Sequence, residues 1–136
     1  MMLRHLAALG LAAAILAPWS TCAWADTPAD LLAAYSAKAG APPQPERGQK
    51  FFTTNFGREL GLSCSSCHGA TPVRTGRDAV TEKPIAPLAP AANGRRFSDR
   101  SKVEFWFAQN CKDVVGRECT AAEKADLISW LMTLKP

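Results

Sequence analysis

Cys64, Cys67 and His68 stand together in the run SCSSCHG, from Ser63 to Gly69. Two thiols three positions apart with an imidazole directly after them suit three chemistries: zinc binding, dithiol redox exchange, or covalent capture of the two vinyl groups of a haem with the histidine beneath the iron. A closed zinc site needs four ligands. The other cysteine pair downstream, Cys111 and Cys119, has seven residues between its members and no histidine beside it. A thioredoxin-like dithiol follows a strand in a βαβ pattern, which the flanking sequence lacks. The motif therefore points to attachment of one haem c, with His68 as an axial ligand of its iron.

The N-terminus supplies an address. Arg4 and His5 precede the apolar run LAALGLAAAILA, followed by Pro18 and the small-residue pattern Ala23-Trp24-Ala25, which is the layout of a secretory signal peptide. The run is 12 residues long, short of the roughly 18 to 20 that cross a bilayer, so no stable membrane insertion is expected. Residues 1–25 read as the signal and 26–136 as a single haem domain, released into the periplasm by cleavage between Ala25 and Asp26. The absence of a twin arginine fits a chain that is exported unfolded and loaded with haem afterwards. Sixteen Lys and Arg against 12 Asp and Glu give a net charge of +4. The basic residues are scattered along the chain, which does not suit nucleic acid.

Cleavage leaves one histidine (His68), one methionine (Met132) and four cysteines, so the far side of the iron has few suitors. Met132 lies four residues from the C-terminus, beside an apolar stripe, a place for filling a core. A lysine would have to lose its proton at a cost of about 4 to 5 kcal/mol at pH 7. A Cys111 thiolate costs only about 2 kcal/mol. However, Cys111 and Cys119 are the only cysteines left after haem attachment, and in an oxidising compartment they are expected to pair, which stabilises the fold by roughly 2.5 kcal/mol. Asn110 remains. Val103, Trp106, Phe107 and Asn110 fall at i, i+3, i+4 and i+7, so the amide shares a helix face with an apolar stripe. Either it ends the helix, as asparagine does well, or the stripe faces haem and the amide oxygen reaches the iron. No second histidine and no acid–base pair accompanies the motif, so oxygen or nitric oxide turnover has no evident proton-handling group.

The elements that must position these residues are helical. Thr27-Pro28-Ala29-Asp30 is a helix start, and the helix is expected to stop at Gly40. Ala41 to Pro45 is a stiff linker, and a second helix follows over about 46–55. Residues 69–97 hold Pro72, Pro84, Pro87 and Pro90 without strand alternation; so long a loop in a small domain is expected to wrap something, and a haem edge would serve. Ser98 or Asp99 caps a helix running to about Gln109. Thr120 to Glu123 is a capping box that opens the last helix, with Leu127, Trp130, Leu131 and Leu134 as its core stripe. The fold class is all-α.

These same segments carry a resemblance. TPADLLAAYSAKAGAPPQPERGQKFF, CSSCHG, KPIAPLAP and RRFSDRSKVEFWFAQNCKDVVGRECTAAEKADLISWL are similar to the sphaeroides haem proteins. The resemblance spans nearly all of the chain after the signal, and Asn-Cys…Gly-Arg-x-Cys-Thr is its most specific part. It implies a class I cytochrome c-like fold around one haem, with His68 and Asn110 as axial ligands and a Cys111–Cys119 disulfide beside the second. In this reading Trp130, Phe52 and Gly48 form the crossing of the first and last core helices. Trp106 and Phe107 line the haem pocket, and Arg95 and Arg96 could pair with a propionate. The resemblance further implies that the asparagine is bound when iron is oxidised and released when it is reduced, so that O2, NO or CO takes its place. Electrons would arrive from a multihaem or membrane-bound cytochrome. The alternative is a simple electron shuttle.

The intact mass of the mature protein is expected to exceed that of residues 26–136 by one haem, and acid with organic solvent should not extract it; extractable haem would refute attachment at Cys64 and Cys67. Non-reducing peptide mapping is expected to recover Cys111 linked to Cys119. Two alkylatable thiols would instead restore Cys111 as a candidate ligand.

Overall fold

The computed structural model describes residues 25–136, so the signal-peptide expectation lies outside the described residues apart from its final position. The chain forms α1 (Pro28–Ala39), α2 (Pro45–Thr53), the single turn α3 (Cys64–His68), strands β1 (Gly76–Arg77) and β2 (Pro84–Ile85), α4 (Arg100–Asn110) and α5 (Ala121–Thr133). A π-helical turn, Cys111–Val115, continues α4 without a break. None of the described helices is long and apolar enough to cross a membrane.

Local chemistry explains the helix ends. Thr27 Oγ1 accepts from the Asp30 amide while Asp30 Oδ2 accepts from the Thr27 amide at 2.9 Å, and Gly40 closes α1 in the left-handed region. Thr120 and Glu123 make the same reciprocal pair at the start of α5. Asp99 caps α4 through the Lys102 amide. The second helix begins at Pro45 and stops at Thr53, a shift of one to two residues from expectation.

Helix α5 is the centre of the molecule, because every residue from Ala125 to Leu131 is buried. A helix buried on all sides must be covered on all sides. Leu31 and Tyr35 of α1, Phe52 of α2 and Phe97 supply that cover. Gly48 lets α2 lie directly on α5: a Cβ there would overlap the carbonyl of Asp126. One turn further along α2, the Phe52 ring meets Trp130 with centroids 4.9 Å apart, the crossing that the resemblance implied. Asp126 is buried with its carboxylate accepting from the Gln44 amide at 2.6 Å, Arg47 Nε at 2.8 Å and Arg47 Nη2 at 3.1 Å. A buried carboxylate is tolerable only when its oxygens are paired in this way.

The loop over 69–97 differs from expectation in one respect. Gly76 pairs with Ile85 and Arg77 with Pro84 in a two-residue antiparallel ribbon, too short to leave an alternating pattern in the sequence. A Cβ at Gly76 would collide with the Cys67 carbonyl, so the ribbon is pressed against α3.

Replacing Gly48 with alanine sets a helix-propensity gain of about 1 kcal/mol against overpacking that typically costs about 1 to 3 kcal/mol. The obstacle is backbone and cannot rotate away, so overpacking wins. The urea midpoint of the haem-loaded protein is expected to fall, and a rise would show that α2 and α5 can separate freely.

Candidate haem site

A cavity of about 530 Å3 is lined by residues of α3, of the Pro84–Leu88 segment and of α4 with its π turn. Cys64, Cys67, His68, Asn110, Trp106 and Phe107 all line it. The long proline-rich loop does wrap something: Pro84, Ile85, Ala86 and Leu88 form a wall of this cavity. The loop is held by the Leu88 and Ala89 amides, which both donate to the Pro72 carbonyl at 3.0 Å, and by Arg96, which donates to the Ala86 carbonyl at 2.6 Å and the Pro87 carbonyl at 2.8 Å.

The motif is presented by one helical turn. Ser63 starts α3, its amide donating to Ser66 Oγ at 3.0 Å, and Gly69 ends it at φ 77°. Between them, α3 directs both thiols and the imidazole to one cavity. Burial pushes the Cys64 thiol up to about 11, and Cys67 Sγ accepts the Ala79 amide at 3.3 Å. Burial, helped by the positive charge of Arg96, pushes the His68 imidazole down to about 4, so it is neutral near pH 7 and has a lone pair to offer a metal. The Phe52 ring stands 6.3 Å from that of His68, connecting the imidazole to the α2–α5 core.

The part of the lining contributed by α4 departs from the helix-stop reading of Asn110. Asn110 has φ −65° and ψ −38°, ordinary right-handed helix, and the chain continues through the π turn to Gly116, which ends it at φ 82° with its amide on the Cys111 carbonyl at 2.9 Å. Gly116, not Asn110, is the terminator. Sequence reasoning missed this because a π turn has no composition signature, although the glycine itself was visible. Cys111 and Cys119 are bonded in the structure, with Cα atoms 5.7 Å apart, within the usual range for a disulfide. Met132 is 39% exposed near the end of α5, beyond the buried run, and does not line the cavity.

The residues fit a haem c. Two thiols, a neutral imidazole and a largely apolar slot match its vinyl groups, iron and ring. Arg96 adds an independent sign: it lines the cavity, burial lowers its pKa, and no carboxylate among the described residues pairs with it. A partly desolvated cation without a counter-ion suits a ligand that carries its own carboxylates. Arg95 also lines the cavity but is exposed.

Residues 38–131 match a family described as a domain of unknown function, DUF1924. The chain is 50% identical over 107 residues to the cytochrome c-type protein SHP of Cereibacter sphaeroides, a match that covers 77% of this chain and 82% of that protein. It is 42% identical over 88 residues to cytochrome c'' of Methylophilus methylotrophus, covering 63% of this chain and 61% of the relative. Its structure resembles that of oxidised SHP, described as an oxygen-binding cytochrome c, with a TM-score of 0.76, 47% identity, and coverage of 80% of this chain and 98% of that one. Oxidised cytochrome c'' gives a TM-score of 0.72 at 36% identity, covering 80% of this chain and 95% of the other. The motif, the cavity and these relatives lead to one conclusion: the chain belongs to the SHP family of c-type cytochromes, with the all-α cytochrome fold and covalently bound haem c as its cofactor.

Proposed function

We propose that this protein is an exported, periplasmic cytochrome in which Asn110 is a redox-gated axial ligand, so that the reduced form binds O2, NO or CO in connection with electron transfer. The observation that carries the reading is that Asn110 lines the same cavity as Cys64, Cys67 and His68, in unbroken helix. The remaining thiols, Cys111 and Cys119, are engaged with each other. Lys102 also lines the cavity, near the start of α4.

Bound haem c supplies an iron that changes oxidation state and, with one axial position open, can take up a diatomic ligand. His68 holds one side, neutral and fixed by burial. The Asn110 amide oxygen is a hard, weak donor, suited to ferric iron and poorly suited to softer ferrous iron. It would therefore hold oxidised iron and would let reduced iron go. The Cys111–Cys119 bond directly follows Asn110 and limits how far the side chain can swing. Cys64 and Cys67 anchor the ring, and Arg96 receives a propionate. Two descriptions of relatives agree with this: SHP is described as oxygen-binding, and cytochrome c'' was examined for haem-ligand detachment. The second reading, an electron shuttle, requires a six-coordinate, low-spin spectrum in both oxidation states. The redox partner is inferred to be a multihaem or membrane-bound cytochrome.

Replacing Asn110 with alanine is expected to leave the haem attached and to give ferric iron that is five-coordinate or water-bound. Reduced mutant and reduced wild type are expected to have the same spectrum, and both should bind carbon monoxide. An unchanged ferric spectrum in Asn110→Ala, or a low-spin reduced wild type inert to carbon monoxide, would sink the proposal.

A further inference from the structure

Helix α4 carries Asn110, yet none of its own residues is buried. It is tied at its start by Arg100 to Asp26 at 2.8 Å, an exposed ion pair of a kind worth little. Its far end is tied by the Cys111–Cys119 bond. Between these lies a third tie, made by Glu104. Glu104 Oε1 accepts the Tyr35 hydroxyl at 2.7 Å, and Oε2 accepts Lys124 Nζ at 2.6 Å. One carboxylate thus joins α4 to both α1 and α5. The site is ordered by its surroundings: Lys124 Nζ lies 5.2 Å from the centroids of both the Tyr35 and Phe107 rings, and those rings meet edge to face at 6.0 Å. Phe107 in turn lines the haem cavity. Burial, followed by the bond to Glu104, pushes the Tyr35 phenol up, so it remains a donor at neutral pH.

Geometry gives this tie its leverage. At 100° per residue, Glu104 lies about 120° around the helix from Asn110, with Phe107 between them. A side-chain tip stands about 5 to 6 Å from the helix axis, so a rotation of roughly 20° moves it by about 2 Å. Metal–ligand bonds tolerate only about 0.2 Å. Lys124 and Cys119 both flank the start of α5, so Glu104 and Cys111 clamp α4 to one element at two points, and two points define an orientation. We propose that Glu104 is the positioning residue for Asn110: by binding Tyr35 and Lys124 at once, it sets the rotation of α4 and hence where the amide oxygen points. This rests on the reading of Asn110 as the ferric-state ligand.

Cyanide binding to the ferric, haem-loaded protein tests it, because cyanide must displace the amide and so reports how well Asn110 is aimed. Asn110→Ala is expected to give the highest affinity, with no internal competitor left. Glu104→Gln is expected to raise cyanide affinity about tenfold over wild type, within the range of second-site effects on coupling. It should leave the affinity of the reduced protein for carbon monoxide unchanged, since the amide is then already released. In an Asn110→Ala background, Glu104→Gln should add nothing. An equal gain in both backgrounds would mean general loosening of the pocket and overturn the positioning role, as would no gain in Glu104→Gln while Asn110→Ala gains. No gain in Asn110→Ala itself would overturn the axial reading, and the positioning role with it. If Glu104→Gln fails to accumulate, Tyr35→Phe removes one of the two bonds and is expected to raise cyanide affinity by about two- to threefold; no rise there would equally overturn the proposal.

Discussion

The contact on which the rest of the structure depends is the backbone approach of α2 to α5 at Gly48. Helix α5 is enclosed on all sides, and its Asp126 carbonyl occupies the space that any side chain at position 48 would need. With the two backbones that close, Phe52 lies against Trp130 on one side and faces His68 on the other. Asp126 then secures the start of α2 through Gln44 and Arg47. The His68 imidazole is thus referred, through one phenylalanine, to the most deeply buried helix among the described residues. Moving it would require repacking the core, and close-packed cores do not deform continuously.

The α4 part of the cavity is built from different interactions. Helix α4 leans Val103 and Phe107 against the core as half-buried side chains and is held otherwise by a carboxylate hub, an exposed ion pair and a disulfide. Polar ties at a half-exposed position contribute less than buried apolar surface and yield more readily. The haem slot therefore has one wall fixed by packing and one fixed by a few polar contacts. Such an asymmetry would suit the proposed pairing of a permanent ligand with a releasable one, since the latter would need somewhere to go that does not disturb the core.

What could be read from the sequence follows from how local each cause is. Thr27 with Asp30 and Thr120 with Glu123 satisfy helix ends within four residues, and their helices start where expected. The Cys64-Cys67-His68 spacing is likewise local, and its three side chains do meet one cavity. The pairing of Cys111 with Cys119 needed only a count of the cysteines and an address. By contrast, the Gly76–Ile85 ribbon is too short to leave a period of two, and the need for glycine at 76 arises from a carbonyl on another element. The hub at Glu104 brings together residues 69 and 20 positions away, each an ordinary surface type when read alone. Asp126 is the buried anchor of another helix's N-terminus, a role set by Gln44 and Arg47, 82 and 79 positions away.

Asn110 shows where local and long-range causes part. Read from its own residue type, it favours a helix stop, because asparagine tolerates left-handed backbone angles. Instead the helix runs on, and one extra residue per turn is accommodated in the π turn from Cys111 to Val115. Such turns are costly in regular helices and recur where a side chain has to be re-aimed. Here the turn brings Val114 and Val115 to the cavity together with Asn110 while Cys111 is bonded to Cys119 in the loop that precedes α5. In an uninterrupted α-helix, a residue one position after Asn110 would lie 100° away from it, and the following turn would keep that phase. The wider turn relaxes this phase requirement. Asn110, Cys111, Val114 and Val115 all line the cavity across it, and Gly116 supplies the left-handed φ of 82° that ends the segment.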